Sequence, residues 1–342
     1  MFYLGDEIAT IKLMPQLRQN IITGEWVVIA PERAKRPSDF VSAESPKPSL
    51  GENCPFCLDN ELYKKESLSE FETKDIYVIP NSFPAFVEDP QNCSPRSFKV
   101  EDGFYTTRPS TGGHDVIIIK KHNLQIFGFA EHIWEDLFLV AKRRYSYYRK
   151  DCNVRYSMLI YNQGARAGAS IYHPHAQLMA SNIIPNQISK EIHGSQSYFE
   201  ENGTCVFCDL LAHEKKQRLR VVEETESFLV FTFYAARFPF ETWVVPKRHS
   251  AHFEQQQVSL LRELGQLMKR VIGKLDANLK SPALNFYLHD SPATVGKADY
   301  FHWHLEIVPR VSTYGGYELG SGTIIDVLSP EEAAKYLRQK SA

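Results

Sequence analysis

The sequence predicts an α+β protein made of two tandem units, residues 1–190 and 191–342, each mainly antiparallel sheet with helices packed on one side. Two observations carry this. A chain of 342 residues is too large for one small core, so two domains or a duplicated one is the default. One ordered set of features also occurs twice: C-x-x-C, strand, basic residue before histidine, amphipathic helix, strand, loop, H-x-H. Repetition of so long a set reads as an internal duplication.

In the first unit, a turn at Thr23-Gly24 precedes a strand from Trp26 to Ala30 and then the basic cluster Arg33-Ala34-Lys35-Arg36, short enough to serve one phosphate group. The Pro-, Ser- and Lys-rich stretch from Pro37 to Gly51 reads as a surface loop leading into Cys54-Pro55-Phe56-Cys57. Such a pair can take two corners of a zinc tetrahedron or form a redox couple. A redox pair normally opens a helix after a strand. This one follows a loop, and Leu58 to Glu61 does not look helical, which favours metal. A strand from Ile76 runs into a turn at Asn81, and a buried strand from His114 to Ile119 ends at Lys120-Lys121-His122. His114 reads as a core histidine or one behind a site. A helix follows with Ile133, Leu137 and Val140 on one face.

The strand from Tyr156 to Asn162 then delivers a loop with Gly164, Gly168 and Ser170, and a return strand with His173, His175 and Gln177 at its start. Residues at i and i+2 share a face of a strand, so these three would point the same way. Small residues let backbone N–H groups and the Ser170 hydroxyl approach an anion closely.

The second unit repeats the plan from Cys205-Val206-Phe207-Cys208, through strands Phe228 to Phe233 and Trp243 to Val245, Lys247-Arg248-His249, a helix from about Gln255 to Leu279, a strand Leu284 to His289, and His302-Trp303-His304. It lacks the Gly-x-Ser run and carries Glu306 where the first unit carries Gln177. A carboxylate there would repel a phosphate, so this unit reads as no second transfer site. The tail holds Tyr317-Glu318, a strand, and a helix whose start, Ser329-Pro330-Glu331-Glu332, is a capping box with proline at the first helical position.

Composition excludes some classes. Net charge is −2, with Lys and Arg interleaved among Asp and Glu, which argues against a nucleic-acid partner. The start, Met1 to Ile8, lacks a signal-peptide pattern, and no apolar stretch is long enough to span a bilayer, so the expectation is a cytoplasmic protein with no membrane partner. Cysteines there are more often metal ligands or free thiols than disulfides, and four of the six fall in C-x-x-C pairs, which points to metal.

The run from Asn162 to Gln177 matches N-x-G-x(3)-G-x-S-x(2)-H-P-H-x-Q. It resembles the signature of the histidine-triad superfamily in its galactose-1-phosphate uridylyltransferase branch. The resemblance extends to T-G-x-W and R-A-K-R-P near the start and G-Y-E in the tail, and so implies two histidine-triad-like units. It places Arg33 and Arg36 near nucleotide phosphates, Asn81 under the base, His122 as a third metal ligand, and Tyr317 and Glu318 at the sugar, often across a homodimer. Galactose-specific members carry a glutamine six positions beyond that glutamate, where this chain has Ile324. The duplication then gives two Cys2His2 sets for structural zinc: Cys54, Cys57, His122 and His173, and Cys205, Cys208, His249 and His302. In the second, His289 or His304 could replace His249 or His302.

On this reading His175 is the nucleophile, because neutral imidazole attacks phosphorus without first losing a proton. Gln177 would donate to a nonbridging oxygen, Ser170 and the Gly168 backbone would hold the leaving phosphate, and Asn162 would orient it. The implied reaction is ping-pong transfer of UMP or AMP between a nucleotide sugar, UDP-glucose or ADP-glucose, and a hexose 1-phosphate or phosphate. Uridylyl transfer in galactose metabolism stands first and ADP-glucose phosphorylase second. A histidine-triad hydrolase would carry a further histidine at Gln177, and a zinc-stabilised binding module would not need an unligated His175.

Overall fold

The computed structural model describes residues 15–31, 54–89, 99–101 and 103–339. Arg33, Arg36 and the stretch from Pro37 to Gly51 lie outside them.

In chain order the strands are β1 (Gln16–Gln19), β2 (Trp26–Ile29), β3 (Ile76–Pro80), β4 (Lys99–Glu101), β5 (Tyr105–Thr107), β6 (Gly112–Ile119), β7 (Tyr156–Gln163), β8 (His175–Ser181), β9 (Val221–Glu224), β10 (Phe228–Thr232), β11 (Thr242–Pro246), β12 (Leu284–His289), β13 (His304–Pro309) and β14 (Ile324–Asp326). The helices are α1 (Glu61–Glu66), α2 (Glu131–Tyr148), α3 (Asn186–Asn202), α4 (Val206–Gln217), α5 (Val258–Leu279), α6 (Gly316–Ser321) and α7 (Pro330–Gln339).

Nine strands form one antiparallel sheet in the order β3-β6-β8-β7-β12-β13-β11-β10-β9. The duplication is visible in that order. From the outside inward the first half runs β3-β6-β8-β7 and the second, inside the edge strand β9, runs β10-β11-β13-β12, each being a strand between C-x-x-C and the next, the strand before the basic-His pair, the H-x-H strand and the strand after the helix. The halves join where β7 pairs with β12, Asn162 opposite Asn285 and Tyr161 opposite Phe286. The sheet is therefore continuous across the halves, and residue 190 falls inside α3. A smaller sheet pairs β1 with β2 and, in parallel, β2 with β14.

One face of the large sheet carries α2 and α5. Leu159, Tyr161, Ala176, Leu178, Phe286, Leu288, Leu305 and Ile307 pack there against Trp134, Leu137, Phe138, Leu264, Met268 and Leu275. The helices cross closely at Gly265, where an added Cβ would sit 3.0 Å from the Glu135 amide nitrogen. Alternation then turns His175 and Gln177 to the opposite face. In the first half that face has a small cluster of Phe56, Tyr77, Ile79, Val116 and Ile118. In the second half α3 and α4 cover it, with Ile188, Ile192, Val206, Phe207 and Leu210 against Leu229, Phe231, Trp243 and Val245.

Candidate active site and metal centres

His173 precedes β8 and sits in a bend, two residues before the strand in which the sequence places it. Its ring is wholly buried. The Nε2 atom lies 2.6 Å from the Ile119 carbonyl, which can only accept, so Nε2 carries the proton and Nδ1 presents its lone pair. That lone pair faces Cys54 Sγ at 3.5 Å, Cys57 Sγ at 3.8 Å and His122 Nδ1 at 3.0 Å, while Cys57 Sγ lies 3.3 Å from His122 Nδ1. Zinc bonds of the usual length would separate neighbouring tetrahedral ligands by about 3.3–3.8 Å, so the four residues fit a zinc ion. Burial, then Cys54, pushes the Cys57 thiol up to about 11, and its thiolate therefore calls for a cation beside it.

Cys205, Cys208, His249 and His302 likewise bring one ligand atom each within 4.8 Å of one another. Cys208 Sγ is 3.4 Å from His249 Nδ1 and 3.7 Å from His302 Nδ1. Here Cys205 caps α4, so this C-x-x-C does open a helix, the context that sequence reasoning assigns to redox pairs. The converging imidazoles, not the local backbone, distinguish metal from redox. All four C-x-x-C thiols are free, whereas Cys152 is disulfide-bonded, against the expectation drawn from compartment.

His175 follows at the first position of β8 and is 7 % exposed. Its Nδ1–H donates to the His173 carbonyl at 2.8 Å, which leaves the lone pair on Nε2. Burial lowers its pKa, opposed by that carbonyl contact, so the ring is neutral near pH 7. Phe56, inside the first C-x-x-C, lies edge-on to the ring at 5.0 Å. The preceding loop is a short 3-10 turn, Ala165–Ala167, between Gly164 and Gly168. Gly168 has φ +85°, and nothing lies within 4 Å of where its Cβ would be, so its backbone is open to approach. Ser170 is exposed on the same loop. Asn285 of β12 donates from one Nδ2 to Asn162 Oδ1 at 2.7 Å and to the Ala167 carbonyl at 2.8 Å, tying the loop to the second half.

The corresponding place in the second half is closed. His304 is wholly buried, stacked on Trp243 at 4.7 Å, with Phe207 at 5.0 Å. Its Nδ1–H donates to the His302 carbonyl, as in the first half, but its Nε2 faces Glu306 Oε1 at 3.5 Å. Glu306 is ion-paired with Arg237 and lies 3.6 Å from His289, which also meets Glu191 at 3.0 Å.

The family model for the galactose-1-phosphate uridyl transferase N-terminal domain matches residues 7–185, and that for its C-terminal domain matches residues 191–339. The chain belongs to this family. It is 35 % identical to an ADP-glucose phosphorylase of Arabidopsis thaliana, over 98 % of this chain and 96 % of the relative. It is 29 % identical to a galactose-1-phosphate uridylyltransferase of Thermotoga maritima, over 95 % and 98 %. A crystal structure of an Arabidopsis thaliana ADP-glucose phosphorylase with bound ADP-glucose superposes with TM-score 0.81 at 32 % identity, covering 96 % of this chain and all of the other. The protein is thus an enzyme of the uridyl transferase family, a nucleotidyltransferase, and among its described residues no helix is long and apolar enough to cross a membrane.

Within the family frame, Asn162 at the end of β7, Gly168 and Ser170 on the loop, and His175 and Gln177 at the start of β8 follow one another, and Asn81 reaches Gln177 through His114. Tyr317 and Glu318 do not join them. They sit on α6, lining a cavity of about 590 Å³ with Ser312 to Gly316, Ile325 and Val327, and Glu318 accepts the Gly315 amide at 2.8 Å. Ile324 pairs with Val27 at the edge of the small sheet. Sequence reasoning missed Asn285, whose only signal is a polar residue between the apolar Leu284 and Phe286. It also missed the buried group Glu191, His289, His304 and Glu306, whose ligand atoms lie within 4.8 Å of one another. Alternation of His302, His304 and Glu306 hinted at three residues on one face, but Glu191 sits on α3 with no sequence cue.

Proposed function

We propose that the protein transfers a nucleotidyl group by a ping-pong route through His175, and that the donor is an ADP-sugar. One observation carries the route: the His173 carbonyl holds the His175 Nδ1 proton, which aims the Nε2 lone pair away from the backbone at the start of the strand that follows the Gly168 loop. Nε2 attacks the phosphorus attached to the nucleoside. An N–P bond forms, the P–O bond to the sugar phosphate breaks, and hexose 1-phosphate leaves. An incoming phosphate oxygen then attacks the same phosphorus and releases His175. Gln177, on the same face two residues on, donates to a nonbridging oxygen, a contact that typically contributes about 2.7–4 kcal/mol in the transition state. Ser170 and the Gly168 amide hold the leaving phosphate, and Asn162 orients it.

Zinc bound by Cys54, Cys57, His122 and His173 would supply fixed four-ligand geometry and no reacting position. The residues' part is to anchor the strand entrance, so that His175 is aimed by its neighbour. Cys205, Cys208, His249 and His302 would hold a second such ion. The division into a catalytic unit, residues 1–190, and a supporting unit, residues 191–342, belongs to the same proposal, as does contact of Tyr317 and Glu318 with the sugar across a homodimer.

Adenylyl rather than uridylyl transfer is favoured by the higher identity to the ADP-glucose phosphorylase, while Ile324 in place of the glutamine of galactose-specific members bears on the sugar, not the base. Galactose-1-phosphate uridylyltransferase activity is the second reading, supported by the Tyr317-Glu318 pair. Incubation with ADP-glucose or UDP-glucose, each labelled on the phosphorus next to the nucleoside and without acceptor, tests both. Covalent labelling from ADP-glucose that His175→Ala abolishes is expected. Labelling from UDP-glucose alone would reverse the choice of base, and labelling that survives in His175→Ala would remove the route.

A further inference from the structure

His114 lies on β6, half-buried, between the Asn81 turn and Gln177. Its two ring nitrogens have different neighbours, and one cannot change its role. The Ala85 amide nitrogen, a backbone donor, points at Nδ1 at 3.2 Å, so Nδ1 is the acceptor. A neutral imidazole then carries its proton on Nε2, which sits 2.8 Å from Gln177 Oε1. The Asn81 side-chain nitrogen is also 3.2 Å from Nε2, but Asn81 Oδ1 already accepts the Phe83 amide at 2.8 Å, so its amide cannot be turned round without losing that bond. Asn81 therefore offers Nε2 no acceptor, and the proton goes to Gln177.

We infer that His114 is a positioning residue for group transfer. Through the chain Ala85 N–H to His114 Nδ1, and His114 Nε2–H to Gln177 Oε1, a backbone amide fixes which end of the Gln177 carboxamide faces the reacting phosphorus. With its oxygen occupied, Gln177 has only its NH2 group to present. A glutamine left unrestrained can turn its carbonyl oxygen outward as readily, and that oxygen would oppose the negatively charged phosphoryl oxygens. Gln177 and His175 stand two positions apart on one strand, so orienting the first sets the donor next to the second's target. The inference rests on the transfer reaction proposed above and adds to it the group that selects the amide's orientation.

The test is a double-mutant cycle read by single-turnover labelling of the zinc-replete full chain with ADP-glucose. His114→Phe keeps a ring without a donor and is expected to slow labelling about 10–100-fold, the usual loss when an outer partner of a functional side chain is removed, with ADP-glucose dissociation constant and zinc content unchanged. In the Gln177→Ala background the same change is expected to cost about twofold or less, because the group through which it acts is gone. Multiplying losses in the two backgrounds would overturn the inference, as would a His114→Phe enzyme that labels at the wild-type rate. His114→Gln, which restores an N–H donor at that place, is expected to recover rate over His114→Phe, and equal loss in both would count against the inference. Wild-type chain that labels with neither nucleotide sugar would instead overturn the transfer reading itself, and this inference with it.

Discussion

The two halves share an order of strands and an H-x-H strand with the same local hydrogen bond, yet the proposed route assigns exchange to only one of them. His175 Nδ1 meets the His173 carbonyl at 2.8 Å and His304 Nδ1 meets the His302 carbonyl at 3.1 Å, so both rings present Nε2. Near His175 in the chain are a glycine-bearing loop, an exposed serine and a neutral glutamine, and Phe56 lies edge-on to its ring. Around His304 the neighbours are Trp243, Phe207 of α4 and Glu306. The difference teaches that a presented lone pair is not enough. On the proposed route, access and the sign of the charge two residues on decide whether a phosphate can come near: Trp243 and Phe207 close over His304, and Glu306 adds a repelling charge.

Making one half resemble the other sharpens this. Gln177→Glu copies the second half's charge into the first and is expected to lower kcat/KM about 10²–10³-fold, because a donor is replaced by a repelling carboxylate. Steady-state rates with ADP-glucose and phosphate measure it, and an unchanged rate would show that charge there is not what separates the halves. The reverse change acts on stability. Glu306→Gln leaves Arg237 and the His289 cluster without their shared carboxylate, an expected loss of about 3 kcal/mol in urea unfolding, with no labelling gained at His304. A smaller contrast comes from the metal sets. Cys57→Ser and Cys208→Ser should each lower bound zinc by one ion per chain, measured by elemental analysis. Only Cys57→Ser should slow transfer, about 10–100-fold, since its set anchors the strand entrance to His175.

Much of this contrast is legible in the chain itself. The C-x-x-C pairs, the basic-His steps and the H-x-H runs each bear on local spacing, and local spacing is what a sequence displays. Gln177 against Glu306 is read from the same alignment of halves. What the sequence hides are contacts between distant segments. Nothing in β12 announces that Asn285 will hold the loop of the other half, because that depends on the β7–β12 register. Glu191 is one acid on an amphipathic helix until α3 packs over His289. The His114 ring could equally be core, and only Ala85, brought back by the turn after β3, settles its tautomer. Sequence reasoning also relied on helix context to separate metal from redox, and Cys205 at the start of α4 shows why that cue fails: any cysteine pair can cap a helix.

The claim that one half alone carries the nucleotide is tested most directly by finding where it is carried. Full-length chain labelled with ADP-glucose without acceptor would be digested under alkaline conditions, which preserve an N–P bond, and its peptides mapped by mass spectrometry. We expect an added AMP on the peptide containing His175 and none on that containing His304. A nucleotidyl group on His304, or on both, would contradict the account.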